Sequence, residues 1–189
     1  MKKLVIALGV SVLLGACAGS GMSNASSSAA TPMVGGAPMY PTKDIVDNAV
    51  NSKDHTTLVA AVKAADLVAT LKSPGPFTVF APTNASFAAL PAGTVDTLLK
   101  PENKATLTKV LTYHVVPGRM DSAALMSAIN AGGGKALLKT ASGGTLTATM
   151  SGGTVWVTDA KGGTAAVTIA NVYQSNGVIH VVNKVLLPG

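Results

Sequence analysis

Phe77-Thr78-Val79-Phe80-Ala81-Pro82-Thr83-Asn84 and, near the far end of the chain, Asn176-Gly177-Val178-Ile179-His180-Val181-Val182 decide the architecture. Phe77 to Ala81 is an apolar run bounded by Pro74-Gly75-Pro76 before it and Pro82-Thr83-Asn84 after it. A short, nearly continuous apolar run between turn signals reads as a strand buried in a core. Val178 to Val182 is apolar on both faces apart from His180, so it reads as a central strand.

The sequence between these runs changes character part-way. Ile45, Val46, Ala49 and Val50 recur at helical spacing after Asp44, a good cap. Leu58, Val59, Ala61 and Val62 predict a second short helix, and Leu67, Val68 and Leu71 a third that Pro74-Gly75-Pro76 stops. Asn84 is suited to cap a helix carrying Phe87, Ala88 and Leu90, and Thr94 a short turn carrying Val95, Leu98 and Leu99. Pro101-Glu102 opens the clearest helix, in which Leu107, Val110, Leu111 and His114 share one face. Asp121 caps the next helix, which ends at Gly132-Gly133-Gly134.

Beyond that point strands take over. Leu146, Ala148 and Met150 alternate with Thr, Val155 and Val157 alternate with Thr154, Trp156 and Thr158, and Val167 and Ile169 flank Thr168. Gly143-Gly144, Gly152-Gly153 and Gly162-Gly163 separate these runs. The pattern is an antiparallel meander with glycine hairpins. Helices first and strands second predict an α+β domain, with strand Phe77–Ala81 available to join the later sheet.

Composition narrows the function. Aromatic residues are 4% and charged residues 12% of the 189-residue chain. The core is therefore built from small aliphatics. The formal net charge is +6, but the lysines are scattered and Lys2 and Lys3 fall in a leader. Nucleic-acid binding needs a clustered phosphate-binding face, and no such cluster is present, so nucleic acid is not an expected partner. The single cysteine, Cys17, excludes an internal disulfide and a cysteine metal cluster.

Catalytic patterns are missing as well. There is no Gly-x-Ser-x-Gly elbow, no phosphate-loop or dinucleotide fingerprint, and Glu102 is the only glutamate. His114 and His180 are expected to be partly buried, with one ring nitrogen donating and the other accepting, and His55 to sit in a polar turn. Neither buried histidine has an Asp, Glu or Cys at a ligand spacing, so neither a metal nor another cofactor is expected.

Together with Tyr113-His114-Val115-Val116-Pro117-Gly118, the two opening runs resemble the end motifs and the central Tyr-His motif of the fasciclin domain. The resemblance extends from about Lys43 to Pro188. It implies a wedge-like β-sandwich with several short helices packed on it, in an extracytoplasmic binding and adhesion module. Thr83, Asn84, Tyr113, His114, Asn176, Gly177 and His180 are the motif residues it marks, as structural or binding groups. The flanks of Tyr113-His114 differ from those of integrin-binding members. Asn183 stands where the family often has Asp. Some members resemble carriers of hydrophobic pigments such as carotenoids, and Met120, Met126 and Met150 are soft enough to adapt to such a ligand.

The N-terminus reads as an address. Met1-Lys2-Lys3 is a basic start, and Leu4 to Leu14 is an apolar run too short to span a bilayer. Leu14-Gly15-Ala16-Cys17 resembles the lipobox of bacterial lipoproteins, which implies cleavage of residues 1–16 and lipidation of Cys17. Ala18, in place of the Asp that signals inner-membrane retention, points to the outer membrane, on its periplasmic side or at the cell surface. Residues 17–41, rich in Ser, Gly, Ala and Pro, are expected to be a flexible tether that adds nothing to folding, with the domain at 42–189. The resulting expectation is a lipid-anchored envelope protein that recognises a polysaccharide or a surface protein.

Cys17→Ser is expected to block lipidation and to leave the chain unprocessed or unanchored. Intact mass and incorporation of labelled palmitate check this. A free, unmodified Cys17 thiol in membrane fractions would contradict it.

Overall fold

A computed structural model describes residues 31–189. The strands are β1 (Met33–Val34), β2 (Ala37–Pro38), β3 (Phe77–Pro82), β4 (Val115–Pro117), β5 (Lys135–Lys139), β6 (Thr145–Ser151), β7 (Thr154–Thr158), β8 (Thr164–Gln174) and β9 (Gly177–Val182). The helices are α1 (Ile45–Ala49), α2 (Thr56–Ala64), α3 (Val68–Lys72), α4 (Asn84–Ala88), α5 (Thr94–Leu99), α6 (Lys104–Tyr113) and α7 (Ser122–Ala131). The architecture is α+β, as the order of patterns predicts.

One seven-stranded sheet runs β4-β3-β9-β8-β7-β6-β5. The two opening sequence runs lie side by side within it. β3 and β9 pair in parallel from Phe77↔Gly177 to Pro82↔Val182. All other neighbours in the sheet are antiparallel. β8 turns the sheet into a wedge. Its first residues pair with β7, its later ones with β9, and its register shifts between Val167 and Ile169 and again between Ile169 and Val172. A long strand that changes partner across bulges is how a sheet makes a corner.

The wedge has two cores. The inner one fills the sandwich, joining Phe80, Val116 and Val182 to Leu146, Ala148, Val157 and Ala165, with Leu125 and Ile129 of α7. The outer one packs Val79, Ala81, Ile179 and Val181 against helices α1 to α4 and α6. Residues alternate between the cores along each central strand, because a strand sends successive side chains to opposite faces. This explains why β9 is buried at every position.

The tether expectation is corrected over its last part. Val34, Ala37 and Met39 are buried in the outer core. Met33–Pro38 is a hairpin whose turn, Gly35-Gly36, has φ of +58° and +75°. Two consecutive left-handed residues make the tight turn that favours glycine. Asn48 fastens the segment by accepting from Tyr40 N–H (3.0 Å) and donating to the Tyr40 carbonyl (2.8 Å). The folded unit therefore starts upstream of Thr42. The stretch was hard to read because its apolar residues are too few to show a period. Cys17, the leader and residues 17–30 of the tether lie outside the described residues.

Other expectations shift by a residue or gain an element. Thr83, not Asn84, caps α4, and Gly93, not Thr94, precedes α5. Pro101–Asn103 forms a 3-10 turn before α6. β4 and β5 were not expected. Among the described residues no helix is long and apolar enough to cross a membrane.

Met39 is 2% exposed. Met39→Ala is expected to destabilise the domain by about 2–5 kcal/mol, the usual cost of emptying a core methionine site. Denaturant midpoints check this. An unchanged midpoint would restore the tether reading for these residues.

Candidate functional site

The motif residues converge on the junctions between the two cores and the sheet. Each junction can be built from its hydrogen bonds.

Tyr113 closes α6 and points into the inner core, 1% exposed. Its hydroxyl donates to the Thr145 carbonyl (2.8 Å) and accepts from Ala160 N–H (3.0 Å). One phenol thus holds the start of β6 and the β7–β8 hairpin. The close fit demands glycine at position 144, where a side chain would run into the Tyr113 ring.

His114, the next residue, points elsewhere. Its Nδ1 lies 2.8 Å from the Val110 carbonyl oxygen, so Nδ1 carries the proton. Nε2 accepts from Leu186 N–H (2.9 Å). Both nitrogens are satisfied by backbone, and the tautomer follows from the partners. Complete burial pushes the His114 pKa down to about 4. The ring is neutral at physiological pH. It serves as a cap for α6 and a clasp on the C-terminal segment.

His180 sits in β9 on the sandwich face, beside Phe80 of β3, with ring centroids 5.7 Å apart. Its Nε2–H donates to the Met120 carbonyl (2.8 Å), and Nδ1 has no partner among the described residues. Burial pushes its pKa down. Thr78 works beside it: its hydroxyl donates to the Gly118 carbonyl (2.6 Å) and accepts from Met120 N–H (2.8 Å). The loop that follows Tyr113-His114 is therefore tied to both central strands.

Thr83 and Ser86 form a reciprocal capping box at α4, and the Ser86 hydroxyl reaches the Val182 carbonyl (3.1 Å). Asn84 works at long range. Its side chain accepts from Thr57 N–H (3.0 Å) and donates to the Lys53 carbonyl (2.8 Å), so it caps α2 rather than its own helix. Asn176 accepts from Ile45 N–H (3.1 Å) and donates to the Leu71 (2.7 Å) and Ser73 (3.1 Å) carbonyls, joining α1, α3 and the β8–β9 turn. At Gly177 a side chain would collide with the Phe77 carbonyl. Asn183 accepts from Ala166 N–H (2.8 Å) with no acid needed.

Two residues carry more than the sequence indicated. His55 was expected in a polar turn but is 3% exposed, with Nδ1 2.9 Å from the Ser52 hydroxyl. The first hairpin lies against this turn, where Lys53 N–H donates to the Gly35 carbonyl. Burial pushes its pKa down. Asp159 had no assigned role. One carboxylate oxygen accepts from Lys161 and Gly163 N–H, and the other from Leu187 N–H (3.0 Å). An Asp before a Gly-Gly hairpin was the available signal for the turn; the contact with Leu187 is tertiary and left none.

These arrangements tie backbone to backbone across the wedge. The motif side chains do not meet in one cleft. Among the described residues no group of three His, Cys, Asp or Glu side chains could hold a metal ion. A partly open apolar cavity of about 80 Å³ lies between α1, α2, α3, α6 and β3, lined by Leu58, Val62, Leu71, Val79 and Leu111 among others.

The same motifs are those of a known family. The fasciclin domain model matches residues 53–188. The chain belongs to the fasciclin family. It is 50% identical over 145 residues to Protein sll1483 of Synechocystis sp., covering 76% of this chain and 73% of that one. It is 36% identical over 145 residues to the immunogenic protein MPB70 of Mycobacterium bovis, covering 74% and 66%. A solved structure of a FAS1 domain pair from the insect cell adhesion molecule fasciclin I superposes with a TM-score of 0.69 at 15% identity, over 77% of this chain and 51% of that one. That likeness shows the fold.

The histidine geometry sets a pH dependence. His114 folds neutral with a pKa of about 4, below its ordinary 6.5. Between those values the unfolded chain binds more protons, so stability is complete above pH 6.5 and falls as pH drops towards 4. The His114 share of the loss is about 3 kcal/mol. His55 and His180 act in the same direction. His114→Ala is expected to lower stability by about 1–3 kcal/mol at pH 7 by stranding its partners, and to flatten the acid limb. Tyr113→Phe, which loses only a hydroxyl, is expected to cost less. Denaturant midpoints from pH 4 to 8 check all three statements.

Proposed function

We propose that this chain is a lipid-anchored, non-enzymatic binding and adhesion module of the bacterial envelope, recognising an envelope polysaccharide or a surface protein. One observation carries the reading: the family-motif side chains are engaged in internal hydrogen bonds, although His180 Nδ1 has no partner among the described residues. Thr83, Asn84, Tyr113, His114, Asn176 and His180 brace the wedge. The histidines, the residues most suited to acid–base work, are buried with lowered pKa values. What remains for function is the outer surface of a rigid scaffold.

The fasciclin family match and the Leu14-Gly15-Ala16-Cys17 motif support the same reading. Acyl chains at Cys17 would hold the module at a membrane, since each buried methylene contributes about 0.8 kcal/mol. The placement proposed is the outer membrane, on its periplasmic side or at the cell surface. The pigment-carrier reading has the apolar cavity in its favour, but about 80 Å³ is below the roughly 150 Å³ that admits benzene. A carotenoid does not fit that cavity, and the larger groove lined by Met120, Ala128 and Leu138 is open to solvent.

Bacteria producing the full chain are expected to adhere to surfaces coated with envelope polysaccharide or envelope protein more than cells lacking it. Cys17→Ser cells are expected to lose the gain. Equal adhesion of all three strains, or a coloured protein with a visible carotenoid spectrum after native purification, would overturn the proposal.

A further inference from the structure

The two edges of the seven-stranded sheet, β4 and β5, come together at one point. Ala141 N–H donates to the Val115 carbonyl (2.7 Å), just past the end of β5. From there the edges part around an open groove of about 870 Å³, lined by Val116, Pro117, Met120, Ala128, Ala136 and Leu138 among others. β4 ends at Pro117, which has no N–H to offer. β5 is the edge that can still pair.

The register fixes which backbone groups face outward. Thr140 and Gly144 are opposite one another, and Thr140 N–H donates to the Gly144 carbonyl (2.9 Å). Hydrogen-bonded and non-hydrogen-bonded pairs alternate along an antiparallel ladder. Leu138–Leu146 and Ala136–Ala148 are therefore bonded pairs, and Leu137 and Lys139 turn their N–H and C=O groups to the open edge. Ala141, two residues on, already uses its outward N–H on β4. The outward groups of Leu137 and Lys139 have no partner among the described residues.

Side chains add a selection rule. In Lys135-Ala136-Leu137-Leu138-Lys139 the odd positions are exposed and the even ones buried, and Leu137 is 69% exposed. Neither lysine forms an ion pair among the described residues. A second copy paired antiparallel about Leu137 would set Lys135 against Lys139 twice. Like charges directly opposite are destabilising, and lysine on an edge is a usual guard against self-pairing. The same two charges favour a strand with acids at the matching positions.

The geometry points to strand addition at β5, in which an extended segment of another protein, with two acidic residues flanking an apolar-x-apolar core, pairs with Leu137 and Lys139 and lays its apolar side chains over Met120 and Ala128. Main-chain bonds supply affinity and the alternating side chains supply choice. The inference rests on the binding-module reading and names the partner's chemistry.

The test uses the full chain in detergent and a fluorescent peptide, Ser-Glu-Val-Tyr-Val-Asp-Ser, with anisotropy as the readout. The valines fall opposite Ala136 and Leu138, and the acids opposite Lys135 and Lys139. The peptide is expected to bind at least tenfold tighter than one with Lys in place of both acids. Lys135→Glu with Lys139→Glu is expected to reverse that order. Leu137→Pro removes an outward N–H without touching the β6 ladder and is expected to weaken binding at least tenfold; should it not fold, the charge reversal decides alone. No binding at millimolar chain, equal binding of the two peptides, or an order that survives the charge reversal would overturn the inference. Those results leave cell adhesion, which is measured separately, unaffected.

Discussion

The parallel pairing of β3 with β9 is the constraint on which the rest depends. Parallel strands are usually covered on both faces, and here the helices cover one face and the bent half of the sheet the other. The pair requires residues that are apolar in both directions, as in Val79-Phe80-Ala81 and Val178 to Val182. It also places a chain crossing at each end. Asn176 and Gly177 manage one end, where backbone meets backbone too closely for a side chain. Thr83, Ser86 and Asn183 manage the other.

Polar groups inside such a scaffold are costly unless paired. That cost explains why the motif residues are polar, buried and bonded to backbone. Tyr113 and His114 are adjacent in sequence yet serve different parts of the wedge, because consecutive residues at a helix end diverge in direction. Tyr113 braces the far half of the sheet, and His114 holds the C-terminal segment against α6. In the binding role proposed above, contact falls to the edges and loops that this scaffold positions.

Much of this was legible from the residues. The two central runs, the glycine-separated meander and the Asp44 and Asp121 caps follow local rules and stand where those rules place them. The opening hairpin was obscured by its composition: Val34-Gly35-Gly36-Ala37 is a tight-turn signal, but it lies in a Ser/Ala/Pro context that reads as a linker. β4 is three residues long and β5 shares its alternation with the exposed lysines of an edge, so neither shows a clear period. The reach of Asn84 to α2 and of Asp159 to Leu187 depends on tertiary placement, for which one sequence holds no signal. The motif positions were recognisable; their partners were not.

The central claim is that the family motif is internal architecture. Nitrogen-15 NMR of the imidazole rings at pH 5.5 tests it most directly, since the ring shifts report both charge and tautomer. The geometry predicts a neutral His114 ring protonated at Nδ1 at that pH, and for the neutral His180 ring the opposite tautomer, protonated at Nε2. A His114 ring that is mostly imidazolium at pH 5.5, titrating near the ordinary 6.5, would show that it faces solvent and would contradict the account.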